Sequence, residues 1–229
     1  MAGMKTPPSS QAPLISASRS RAPSDGRRNA ERTKRNLLDA AYVEFSENGF
    51  QGARVDAICK RAGVSKQMLS HHFGSKEALF VEVLERAYLS FRMHDDDVEL
   101  SSGGPVEAVE HLVLSTFDHV QKHQELIRLL SDENMHNGRH IQQSPKLRAL
   151  YRPLIEKIAA MLKQGERAGL FRKGVDPYQF YISMTSLIFL FFSNNHTLSA
   201  VFDMDFSTAK ARAERRRHVV EFVLAALRR

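Results

Sequence analysis

Cysteine is almost missing from this chain: Cys59 is the single one in 229 residues. No internal disulfide can form, which excludes a disulfide-stapled secreted domain and fits a reducing, cytoplasmic setting. Long hydrophobic runs are missing too. The most apolar stretch, residues 180–192, is broken by Ser183, Thr185 and Ser186. It falls short of the ~20 residues a membrane-spanning helix needs, so a buried helix is expected and a membrane partner is not. Residues 1–20 lack a continuous apolar core of signal-peptide length,. The motifs of common enzyme chemistries are absent as well: no Gly-x-x-x-x-Gly-Lys-Ser/Thr phosphate loop, no Gly-x-Ser-x-Gly elbow and no His-Glu-x-x-His zinc pair,. Ser70 and His71 are neighbours on a helix, so their side chains do not face each other. Neither an enzyme nor a cofactor is expected. No segment reads as a strand, and no internal repeat appears.

Charge is what the chain has in excess. Lys and Arg total 33 against 26 Asp and Glu, a formal net charge of +7, which points to a polyanionic partner once the charge is located. It is dense at the front: Lys5, Arg19, Arg21, Arg27, Arg28, Arg32, Lys34 and Arg35, opposed by Asp25 and Glu31. Two readings stand for Arg27, Arg28, Arg32, Lys34 and Arg35. They form a flexible arm that follows phosphates or enters the minor groove, or they are a solvated tail. Arg212, Arg215, Arg216 and Arg217 read as a solvated helix face. Residues 1–26 are rich in Ser, Pro, Ala and Arg without apolar periodicity, so a disordered tail is expected there.

Beyond the tail the expectation is all-α. Structure should begin near Asn29, with Leu37, Ala40, Ala41 and Phe45 on one helical face and an end at Asn48-Gly49. A short helix with Val55, Ile58 and Ala62 on one side ends at Gly63. Ser65 caps a third helix and Ser75 a fourth, whose apolar face carries Val83, Leu84, Ala87 and Phe91. Two short helices joined by a tight turn, at residues 54–73, have helix-turn-helix spacing. Such a unit projects its second helix into a major groove about 12 Å wide. Lys66, Gln67, Ser70 and His71 lie mostly outward there. Gln67 can make two bonds to an adenine edge, and Lys66 can reach guanine or a phosphate. Lys76, at a helix start, suits a phosphate oxygen. The expected partner is double-stranded DNA.

Residues 45–80 resemble the TetR family of bacterial regulators. The family pattern is kept at Phe45, Gly49, Phe50, Val55, Ile58, Ala62, Gly63, Val64, Ser65, Lys66, Leu69, His72, Phe73, Ser75, Lys76, Glu77 and Leu79. Three positions depart from it. Cys59 replaces Ala. Arg54 stands where Thr or Ser usually caps the second helix, and could pair with a phosphate instead. Ser70 stands where Tyr is usual. The resemblance implies a three-helix DNA-binding unit over residues 27–94 and a larger helical ligand-binding and dimerisation domain over 105–229. It also implies repression of a palindromic operator by a homodimer that a small-molecule effector releases; a ligand-independent or activating regulator is the alternative. The DNA-contacting set is then Arg54, Ser65, Lys66, Gln67, Ser70, His71 and Lys76.

The acidic, then Gly- and Ser-rich stretch 95–104 marks the expected boundary. Further helices follow, one of them with an internal Pro153 and an expected kink. The helix at residues 178–194 is apolar nearly all round, and the last helix carries Val219, Phe222, Val223, Ala226 and Leu227 as a stripe. Two such helices from each chain would make a four-helix dimer interface. Candidate effector-binding groups are His111, Ser115, Asp118, His119, Arg128, Glu133, His136, Tyr151 and Asn194, polar side chains among apolar neighbours. Glu133, His136 and His140 have metal-ligand spacing on a continuous helix, but Asn137-Gly138 should end that helix, so no metal is expected.

Overall fold

The computed structural model of the protein describes residues 25–95 and 103–229. Ten α-helices lie in the described part: α1 Asp25–Gly52, α2 Val55–Ala62, α3 Lys66–Phe73, α4 Lys76–Asp95, α5 Pro105–Lys122, α6 Gln124–Met135, α7 Pro145–Arg167, α8 Pro177–Ser193, α9 Asn195–Phe202 and α10 Ala209–Leu227. A single 3-10 turn, Ile141–Gln143, follows α6. Among the described residues the one β feature is an isolated bridge between Phe171 and Arg228.

The helix starts follow local chemistry. Pro105, Pro145 and Pro177 open α5, α7 and α8, where the fixed φ of proline suits the first turn and its missing N–H costs nothing. Ser144, Asp176 and Thr208 cap α7, α8 and α10 by accepting from Leu147, Gln179 and Ala211 amides,.

The head packs α1 against α2 and α4, and α1 also reaches α6 of the C-terminal bundle. In the bundle, α5 is central, touching α4, α7, α8 and α10. One core cluster runs through both parts, with Phe45, Phe80, Phe117, Ile158 and Ile188 fully buried.

Several expectations are corrected. Helix α1 begins at Asp25, not near Asn29; Arg, Ala, Glu and Lys after it are good helix formers. Of the disordered tail expected at 1–26, residues 25–26 belong to α1 and 1–24 lie outside the described residues, as does Phe91's side chain. Gly49 does break the helical path of α1, where Asn48-Gly49 was expected to end it. It adopts φ 65°, ψ 174°, and one more turn runs on to Gly52. Helix α7 runs through Pro153 as one helix, as expected; the bond that proline lacks would have fallen on exposed Ala149, where water can take the carbonyl. The helix α9 was not anticipated; none of its residues is buried, so no apolar period announces it. The α10 stripe divides: Val219, Val223 and Leu227 enter the chain's own core while Phe222 faces solvent.

Candidate functional site

The head is fixed by short-range bonding. Gly63 caps α2 at φ 68°, a left-handed conformation that glycine adopts without Cβ strain. The next amide, Val64, donates to the Cys59 carbonyl at 3.0 Å. Ser65 Oγ accepts from Met68 N at 3.3 Å and starts α3. Ser75 Oγ accepts from Ala78 N at 3.1 Å and starts α4. Leu69 and Phe73 anchor α3 in the core. What this leaves outward on α3 is Lys66, Gln67, Met68, Ser70 and His71, all exposed.

The DNA-facing candidates are not equally free. Gln67, Ser70 and His71 are unobstructed on the outer face. Lys66 Nζ lies 2.5 Å from Asp56 Oδ1 at the first turn of α2. Lys76 is half-buried, donates to the Gln51 carbonyl at 3.4 Å and stands 4.9 Å above the Phe50 ring. It is therefore a positioned cation, with donors to spare. Arg54 is exposed and makes no side-chain cap. The missing cap is compensated from α1: buried Glu44 accepts the Arg54 amide at 3.1 Å and has Arg61 at 3.9 Å. A partner ten positions earlier leaves no local signature.

The C-terminal bundle, with α4, borders an open cavity of about 640 Å³ lined by Tyr88, Leu126, Leu130, Ile141, Leu147, Tyr151, Tyr181, Thr185, Ser186 and Phe189. Tyr88 meets Tyr151 edge to face at 5.6 Å, and Tyr151 meets Tyr181 at 6.2 Å. Burial, then the charge of Glu133, push the Tyr88 hydroxyl up to about 12, so it stays a hydrogen-bond donor at neutral pH.

Of the nine effector-binding candidates, only Tyr151 lines this cavity. His111 and Arg128 are exposed on α5 and α6. Ser115 bonds its own helix at the Leu112 carbonyl. Asp118 is clamped by Arg216, both bonds 2.7 Å. That pairing, with Arg215 bonded to the Leu187 carbonyl, also makes part of the Arg212–Arg217 cluster structural rather than a freely solvated face. His119 stacks on His123 at 4.6 Å and borders a separate cavity of about 340 Å³ beside Tyr42 and Arg86. Asn194 closes α8 and bonds Ser193. The candidates are polar, whereas the wall is made of apolar residues and tyrosines. The available signal was helical spacing: Leu126 with Leu130, Leu147 with Tyr151, and Tyr181 with Thr185 and Phe189, each four apart.

Glu133 and His136 belong to a joint between the head and the bundle. Asp132 Oδ2 accepts the Phe50 amide at 2.9 Å, and Asp132 has His136 Nδ1 on its own carbonyl at 2.8 Å. Glu133 Oε1 accepts the amides of His140 and Ile141 at 2.7 and 3.0 Å, and Oε2 sits 2.6 Å from His140 Nδ1. Arg139 donates to His140 Nε2, which puts the ring hydrogen on Nδ1, toward Glu133. The His140 ring packs on Phe50 and Phe80 at 4.5 and 4.9 Å. With Glu133 and His140 engaged on each other, the spacing that suggested metal ligands is explained by packing. Among the described residues no cluster of three ligand side chains occurs. A second tie joins α4 to the start of α7, where Glu85 accepts from Ser144 at 2.6 Å and Lys146 at 2.9 Å.

Comparison with known proteins gives the same picture. Residues 37–83 match the family described as bacterial regulatory proteins, tetR family. Residues 105–223 match the tetracyclin repressor-like C-terminal domain. The HTH-type transcriptional repressor NicS of Pseudomonas putida is 34% identical over 200 residues, covering 87% of this chain and 94% of that protein. Among solved structures, the putative transcriptional regulator SCO4942 from Streptomyces coelicolor superposes with a TM-score of 0.64 at 25% identity, covering 85% of this chain and 98% of that one. The ketosteroid transcriptional regulator KstR2 of Mycobacterium tuberculosis gives 0.65 at 21% identity, covering 86% and 95%, a likeness of fold. Among the described residues no helix is long and apolar enough to cross a membrane. With its helix-turn-helix head and larger helical C-terminal domain, the chain belongs to the TetR family of DNA-binding transcriptional regulators.

Proposed function

We propose that the protein is a homodimeric repressor that grips a palindromic operator with α3 and lets go when a small molecule fills the cavity of the bundle. The observation that carries this is the joint of Asp132, Glu133 and His140. It lies on α6 and the following turn, the same segment that gives Leu126, Leu130 and Ile141 to the cavity wall, and it holds Phe50 and Phe80 of the head. A molecule that moves the wall moves the seat of the head. DNA then favours one spacing of the two heads and effector another, so each weakens the other by linkage.

Dimerisation is supported by what α8 and α10 leave outside. Ile182 is 54% exposed, Leu190 56% and Phe222 52%, a large apolar presentation for a monomer. A two-fold dimer presents two α3 helices to half-sites about 34–36 Å apart. Base choice falls to Gln67, Ser70 and His71, with Arg54, Lys66 and Lys76 on phosphates or neighbouring edges. Ser65 acts through its cap.

Selection of bound duplexes from a random pool tests the reading. A two-fold symmetric consensus is expected, bound by two chains in sedimentation. Gln67→Ala should then relax preference at one position of each half-site by about 1–3 kcal/mol while leaving the others intact. Enrichment of no sequence, or of a site bound by one chain, would overturn it.

A further inference from the structure

We infer that the first turns of α1 are a second DNA-contacting element, a basic helical overhang that binds phosphates flanking the bases read by α3. This rests on the reading of α3 as the recognition helix. Helix α1 starts at Asp25, but its first fully buried residue is Leu37. The intervening twelve residues extend about 18 Å. Residues 26–32 are exposed, and a Cβ placed on Gly26 would meet nothing within 4 Å. A helix of that length gains little from its own hydrogen bonds alone, and here no core residue holds it down.

Its surface is cationic. Arg27, Arg28, Arg32 and Arg35 are all exposed. Arg27 has Glu31 at 3.8 Å in a loose i,i+4 pair, and among the described residues Arg28, Arg32 and Arg35 have no acidic partner. Lys34 is different. It pairs with Glu82 at 2.7 Å and stands 5.4 Å from the centre of the Phe73 ring. That contact fixes where the overhang begins, beside the last turn of α3.

The position follows from lengths. With eight residues, α3 is about 12 Å long, close to the width of the major groove it would occupy. Its ends therefore lie near the groove walls, which are lined by phosphates. The other end of α1 is bonded to the bundle through Phe50 and Asp132. Arg28 lies about 30 Å back along the helix from Asn48, the residue before the Gly49 break,. Four guanidiniums on the stretch of α1 that passes Lys34, beside the last turn of α3, carry the charge that the adjoining phosphates would take.

The test uses the full chain, the selected duplex and an unrelated duplex of equal length. The triple variant Arg28→Gln, Arg32→Gln, Arg35→Gln keeps good helix formers at exposed positions. The slope of log affinity against log salt concentration should fall in magnitude by about 0.9 for each arginine–phosphate pair removed, or about 2–3 in total, on both duplexes. The ratio of the two affinities should hold. Arg28→Gln alone, farthest from any core residue, should lower the slope by about 0.9, and unchanged melting temperature shows that folding is intact. An unchanged slope in both variants overturns the proposal, as does an altered ratio at constant slope. If the unmodified protein binds both duplexes equally, the α3 reading fails while the slope still decides the overhang. If it binds neither, both fall.

Discussion

The head and the bundle put their polar groups to opposite uses. In the head, polar groups are spent on geometry: buried Glu44 and the exposed caps Ser65 and Ser75 hold backbone amides, so that an outer face carrying Gln67, Ser70 and His71 is held in place. In the bundle, long helices border a hollow whose wall is apolar and aromatic, and a set of short polar contacts lies at the seam with the head. A surface that reads base edges needs fixed positions. A cavity that responds needs walls able to move and a stiff connection to carry the movement.

Removing packing should separate the two regions most. Phe45 is buried against Phe50 and Phe80, so Phe45→Ala should cost about 3–5 kcal/mol in urea unfolding and abolish operator binding. Tyr151→Ala at the cavity wall, where the ring already borders a void, should cost less than half of that. Equal losses would break the contrast between a tight head and a yielding bundle.

The seam comes next. Asp132→Asn keeps the shape but weakens an acceptor for the Phe50 amide, with an expected loss of about 1–3 kcal/mol. It should also loosen the link between cavity and head. A cavity-filling Leu130→Phe should weaken operator binding in the parent chain and do so much less in the Asp132→Asn background, as a double-mutant cycle on operator affinity would read. Simple additivity would mean the two regions communicate elsewhere.

Ser65→Ala removes the α3 cap and should cost about 1 kcal/mol, seen in melting temperature and in equal weakening on all sequences. The smallest effect is one of pH. Burial pushes the Glu85 carboxyl up, but bonds from Ser144 and Lys146 outweigh it and hold the group below its ordinary value of 4.5. A lowered folded pKa stabilises above the ordinary value and is lost as pH falls through the folded one. Between pH 7 and pH 3 the parent should lose slightly more stability than Glu85→Gln, by under about 1 kcal/mol for a tie this close to the surface.

The head was legible because its information is local. Caps stand three residues before the amides they serve, Gly63 sits where a left-handed turn is needed, and Leu69 with Phe73 mark the inner face. The reach of Glu44 to Arg54 was hidden, since ten residues of helix and turn must fold before the two meet. The cavity was hidden for another reason. Its chemistry lies in which apolar residues fail to touch one another across α6, α7 and α8, and no single helix records that. Polar residues stand out in a sequence instead, and Asp118 and Glu133 proved to be engaged with Arg216 and His140. The start of α1 was misplaced because helix formation without burial carries no apolar period.

Gly49 and Asp132 stand 83 positions apart and yet share one small volume. A Cβ on Gly49 would come 2.7 Å from Asp132 Oδ1, and its backbone is at φ +65°, where side chains are strained. The two positions are therefore not independent in mutational history. Enlarging residue 49 strains its backbone whatever stands at 132, and with Asp132 in place it also displaces the carboxylate that holds the Phe50 amide. Among descendants of this sequence Gly49 should therefore stay as it is for as long as the joint between head and bundle keeps this shape.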